Sequence, residues 1–247
     1  MEVGKINAVI RDGIGVIEFY HPKANSLPSS LLHQLGDRIE EFGAHQDVRA
    51  VLLCSDGNGA FCAGASFDEL RNLSSPAEAE EYFMGFAKVI LAIRNSKSLV
   101  VTRVQGKAVG GALGVIAVSD YVFASSAASV RLSELAIGLG AFVISEPIIR
   151  KIGIGHFSHM CLDTEWRTAT WCEQVGLYSK VAEDRETLDA EIQSFLDSLV
   201  RGHHAAQRKL KELFWASDPP WAELLRERAK FSGSLALTDW VQQKLRA

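Results

Sequence analysis

Residues 60–66 read AFCAGAS, directly after the apolar run RAVLLC (49–54) and the turn formers SDGNG (55–59). The run is short, apolar and bounded by turn residues, which predicts a buried strand. Five of the next seven residues are small: Ala60, Ala63, Gly64, Ala65 and Ser66. Ser66 precedes FDEL and is placed to cap a short helix, so the small residues close a strand-to-helix junction. A junction stripped of side chains serves either close packing or the presentation of its backbone N–H groups to a ligand.

A second junction of the same layout follows. SLVVTRV (98–104) predicts another buried strand, and Gly106 and then Ala108-Val109-Gly110-Gly111-Ala112 lead into a nearly uncharged helix, GGALGVIAVS (110–119). A helix N-terminus leaves amide N–H groups without intrahelical partners, and its dipole favours negative charge. Two such junctions from neighbouring β/α units can aim two donors at one point, the makeup of an oxyanion hole. Gly110-Gly111 has neither the spacing of a dinucleotide fingerprint nor the GK[ST] of a phosphate-binding loop, which weakens a phosphate cradle. Close packing of this Gly/Ala-rich helix is compatible with either use.

Outward from these junctions the chain keeps one rhythm. INAVIR and IGVIEFY flank Asp12-Gly13 as a hairpin, HPKANSLP is a loop, and Pro28 opens a helix with apolar positions Leu31, Leu32, Leu35, Ile39 and Phe42. A longer helix is predicted over 76–95 and a strand over 120–125. Strand, loop, helix, strand repeats predict stacked β/α units around a largely parallel sheet. From Ala141 onward helices dominate, which predicts a core over 1–190 and a helical region over 191–247.

Composition narrows the class. The 247 residues are 47% hydrophobic and 23% charged, enough for one sizeable core. Net charge is 26 − 30 = −4 without a basic run, which argues against a nucleic-acid partner. Cys54, Cys62, Cys161 and Cys172 have no metal-ligand spacing, and three sit in apolar runs, so reduced, buried thiols are expected. His156 and His159, and the pair His203-His204, lack companion carboxylates at zinc spacing, so no metal site is expected. No run of 18 apolar residues occurs, and the N-terminal residues do not resemble a signal peptide. A cytoplasmic chain without a membrane anchor is the expectation.

FCAGASF, VQGKAVGGALGVIAVSDYVFAS and LSELAIGLG occur in that order, after an early HPKANSL. Together they resemble the crotonase superfamily of enoyl-CoA hydratases and isomerases, from about residue 3 to 155. The resemblance implies a crotonase-like α/β spiral of ββα units with a C-terminal helical trimerisation region, and so a homotrimer or a dimer of trimers. It also implies an acyl-CoA thioester substrate, with coenzyme A as part of the substrate and no permanently bound cofactor. By position in the motifs, the N–H groups of Ala65 and Gly111 would hold the thioester oxygen. Lys23 and Ala24 would meet the adenine end of coenzyme A, Cys62 and Ala63 would add backbone contacts there, and Lys244 or Arg246 would approach the phosphates from a neighbouring subunit.

One departure matters. Many hydratases of the superfamily carry two glutamates, and the resemblance places the second at Glu134 but sets Gly114 where the first would stand. A lone acid suits proton transfer between two carbons of an enolate, and Leu132, Leu135 and Ile137 around it would raise its pKa. Glu146, in the apolar stretch AFVISEPII, is the candidate second acid, although its position also fits the first turn of a helix beginning near Pro147. Asp68 and Glu69 read as helix-start or surface charges. The reading favoured is isomerisation of a 3-enoyl to a 2-enoyl thioester by Glu134. Its rivals are 2-enoyl hydration, decarboxylation or C–C bond formation, and a non-catalytic binding subunit.

Overall fold

Asp12 and Gly13 both adopt positive φ (49° and 80°), the geometry of a tight hairpin turn, and join β1 (Lys5–Arg11) to β2 (Ile14–Tyr20). The computed structural model describes residues 4–216 and 218–246. The remaining strands are β3 (Ala50–Ser55), β4 (Leu99–Val104), β5 (Ala108–Val109), β6 (Tyr121–Ser125), β7 (Ser129–Arg131), β8 (Arg167–Thr168) and β9 (Lys180–Ala182). The helices are α1 (Ser29–Ala44), α2 (Phe67–Asn72), α3 (Pro76–Asn95), α4 (Gly111–Val118), α5 (Ser145–Asp163), α6 (Ala169–Gln174), α7 (Arg185–Arg201), α8 (His204–Phe214), α9 (Trp221–Ala236) and α10 (Asp239–Arg246).

Six strands form the main sheet in the order β1-β2-β3-β4-β6-β9. Only the β1–β2 pair is antiparallel; Ile14 faces Ala50, Ala50 faces Leu99, and Val101 faces Tyr121 in parallel register. A second, three-stranded sheet, β5-β7-β8, starts at the strand that leads into the Gly110 junction. Strand β9 is an addition to the sequence reading: the chain returns to the sheet edge after residue 141, with Phe123 opposite Lys180. The run is too short to register as an apolar period.

The larger core lies on the face covered by α1 and α3, where Leu32, Leu35 and Ile39 meet Ile90 and Ile93. The opposite face is covered by α7, whose Leu188, Ile192 and Leu196 pack on Ile14, Ala50, Val101 and Phe123. The expected boundary at 190–191 thus falls inside α7 rather than in a linker. Helix α8 is pinned beneath the sheet by a buried ion pair, Lys211 Nζ to Asp120 Oδ2 at 2.7 Å. Lys211 Nζ also donates to the Ser98 carbonyl at 3.1 Å, and Asp120 accepts from Val100 N–H at 2.7 Å. Helix α9 returns to pack along α3, and α10 reaches α2 and the turn at Glu134. None of the described helices is long and apolar enough to cross a membrane.

Candidate active site

The loop HPKAN builds the first junction. Ala24 and Asn25 both take positive φ (51° and 56°), and the Asn25 side chain closes the turn by accepting from His21 N–H at 2.9 Å. Its amide then donates across to the Asp56 and Ala60 carbonyls at 3.1 and 3.0 Å. Ala63 N–H donates to Ala24 O at 3.0 Å, and Leu27 N–H to Gly64 O at 2.8 Å. The buried Tyr82 hydroxyl accepts from Ser66 N–H at 2.7 Å and donates to Leu27 O at 3.2 Å. Ser66 caps α2, as its position suggested. Every N–H around Ala65 is therefore tied down, while Ala65 N–H itself donates to no acceptor among the described residues.

The second junction lies directly against the first. Cys62 N–H donates to Lys107 O at 3.2 Å and Val109 N–H returns to Cys62 O at 2.9 Å. Gly64 has φ +82°, and a Cβ there would stand 2.5 Å from Val109 O and 3.5 Å from Gly111 N. Gly110 has φ +57° and ψ −122°, a conformation that L side chains avoid, and a Cβ on it would meet Glu134 Oε1 at 2.8 Å. Gly111 is the first residue of α4, so its N–H has no intrahelical acceptor. Ala65 and Gly111 line one cavity, with Glu134 on the same wall.

Glu134 opens a short 3-10 turn, Glu134–Ile137, closed by Gly138 in the left-handed region and by Leu139 N–H on the Glu134 carbonyl at 2.9 Å. Its Oε2 is buried and has no hydrogen-bond partner among the described residues. Burial raises its pKa to about 7, against the opposing pull of its own and Ser133's backbone N–H groups. The desolvation is not the work of every flank proposed from sequence: Leu135 is 49% exposed, while the carboxylate takes up the space that a Cβ on Gly110 would need. Glu134 is the one ionisable group lining this cavity among the described residues; Phe67, Phe83, Phe86, Val143 and Ile144 form its apolar walls. Those walls come from separate elements, and no local motif marked them in the sequence.

The remaining candidates lie elsewhere. Glu146 is in the first turn of α5 and pairs with Arg228 at 2.5 Å, outside the cavity's lining. Asp68 pairs with Lys23, and Glu69 accepts from Ser29 N–H at 2.7 Å. Lys23 and Ala24 are exposed at the rim beside Ala63. The N–H groups of Cys62 and Ala63 are consumed within the junction, so neither serves as a ligand donor. Lys244 and Arg246 sit on α10, where Lys244 lies 5.4 Å from the Trp240 ring of its own chain. Cys54, Cys62 and Cys172 are buried and Cys161 is half-buried, all as free thiols.

Residues 9–230 match the family model described as enoyl-CoA hydratase/isomerase. The chain belongs to the enoyl-CoA hydratase/isomerase family, the crotonase superfamily. It is 26% identical over 193 residues to a short-chain-enoyl-CoA hydratase of Clostridium acetobutylicum, covering 76% of this chain and 73% of that one. It is 32% identical over 130 residues to a (7aS)-7a-methyl-1,5-dioxo-2,3,5,6,7,7a-hexahydro-1H-indene-carboxyl-CoA hydrolase of Mycobacterium tuberculosis; there the similarity spans about half of each protein, 52%. An enoyl-CoA hydratase from Bacillus halodurans shares the fold with a TM-score of 0.89 over 98% of both chains, at 18% identity.

Proposed function

We propose that this protein isomerises a 3-enoyl-CoA thioester to the 2-enoyl form. The observation that carries the reading is the single carboxylate in the cavity, held beside two unengaged amides with its pKa near 7. A base whose pKa lies near the working pH combines a useful ionised fraction with a strong drive to accept a proton.

The amides of Ala65 and Gly111 hold the thioester oxygen and gain strength as it becomes an enolate oxygen, because they are fixed before the reaction begins. Glu134 takes a proton from C2, the electron pair moves through the enolate, and the same carboxyl returns the proton at C4. No water is consumed, and Glu134 ends as it began. Lys23 and Ala24 at the rim are the proposed meeting point for the adenine end of coenzyme A. The exposed Leu213, Phe231 and Trp240 of the C-terminal helices support assembly into a trimer, which sedimentation would test.

The decisive experiment gives the protein matched 3-enoyl and 2-enoyl thioesters and reads the products by mass. Conversion of the 3-enoyl ester without mass change, faster than water addition to the 2-enoyl ester, is expected. Rapid hydration without isomerisation would overturn the reading. Hydration is the second reading, favoured by the hydratase among the relatives above; it would leave Glu134 to activate water alone.

A further inference from the structure

Glu134 lines two cavities, not one. The first holds the two amides and has room of about 60 Å³; the second has about 490 Å³. They share the stretch from Leu139 to Phe142 as a common wall. Small-molecule sites usually occupy about 300–1,000 Å³, so the first space alone is small for an acyl group of any length. The second is lined by Leu132, Phe142, Ile149, Phe157, Cys161 and Leu235. Its only cationic side chain among the described residues, Arg228, is already neutralised by Glu146 at 2.5 Å. Glu134, whose Oε2 is buried and unpartnered among the described residues, lines both spaces.

We propose that the second cavity receives the distal hydrocarbon of the substrate, so that the acyl chain runs from the amide pair past Glu134 and on between Phe142 and Cys161. The substrate class is therefore an aliphatic acyl-CoA of about eight carbons or more, without a terminal carboxylate, since no uncompensated cation faces that end. This rests on the acyl-CoA reading above but not on which reaction follows.

The test uses saturated acyl-CoA esters, which bind without turning over, titrated calorimetrically into the full chain. Affinity should rise by at least about 100-fold from a four-carbon to a twelve-carbon chain, a lower bound that burial of only some of the eight added methylenes already supplies. Cys161→Phe, which fills the second cavity only, should leave the four-carbon affinity unchanged and cut that rise to about 10-fold or less. A terminal carboxylate on the twelve-carbon chain should erase most of the gain. Should Cys161→Phe misfold, Phe157→Trp makes the same demand from another wall. A flat affinity ladder in the wild type would overturn the proposal, as would a full rise retained in the filled variants. Neither result would touch the isomerase reading, which product analysis with unsaturated esters tests separately.

Discussion

Gly114 and Ile144 share one space: a Cβ built on Gly114 would stand 2.6 Å from Ile144 Cγ2 and 2.8 Å from its Cβ. Ile144 is buried and lines the cavity, so its side chain lies against the helix position where the family resemblance would set a first glutamate. The absence of a second acid is thus built in twice, by the missing side chain and by the branched residue packed over it.

Gly114→Glu alone should therefore fail to add an acid function and should destabilise the fold by about 3 kcal/mol or more, through overpacking and an unpaired buried charge. Combined with Ile144→Ala, it should regain part of that stability and raise hydration of a 2-enoyl thioester relative to isomerisation. Thermal unfolding and the product ratio check both halves. A single Gly114→Glu variant as stable as wild type would refute the packing argument.

Glu134→Gln keeps the shape of the side chain and removes the base. Turnover should fall by roughly 10²-fold or more while the affinity for a saturated acyl-CoA stays near wild type. Full activity in this variant would remove the only acid placed at the reacting carbons.

The raised pKa of Glu134 makes two pH predictions. Activity should rise with pH through about 7, as the carboxyl becomes the ionised base. Stability moves the other way. Below about pH 4.5 the group is neutral in both folded and unfolded chains and costs nothing; between 4.5 and about 7 only the unfolded chain ionises, so stability falls as pH rises. The full loss, present above pH 7, is about 3 kcal/mol. Glu134→Gln should therefore be more stable than wild type at pH 8 and equal to it near pH 4, by denaturant titration at each pH.

Gly110→Ala tests the junction. It forces an L residue into φ +57°, ψ −122° and drives a methyl group at Glu134 Oε1. A stability loss of about 1–3 kcal/mol is expected, with turnover down by about 10²-fold from the displaced carboxylate. An active, stable Gly110→Ala enzyme would show that the close approach is dispensable.

Lys211→Met leaves Asp120 buried without its cation. The expected cost is about 3–5 kcal/mol, read as a lower denaturant midpoint. Replacing both partners by apolar residues should recover much of it.

The β/α rhythm, the hairpin at Asp12-Gly13, the helix over 76–95 and the two bare junctions were legible in the residues themselves, whereas Glu134 was singled out only by the family resemblance. Each is written locally, as a hydrophobic period, a turn residue or the absence of side chains at a helix start, and local sterics act on neighbours in the chain. The apolar cavity walls, the second cavity and the place of β9 at the sheet edge had no such signature. Neither did the pairing of Glu146 with Arg228 or the use of the Cys62 and Ala63 amides inside the junction. The meeting of Gly114 with Ile144 is the clearest case: each reads alone as an ordinary helix or loop residue. Only the packing of α4 against the loop before α5 brings them into one volume, because exclusion acts between atoms in space, whatever their separation along the chain.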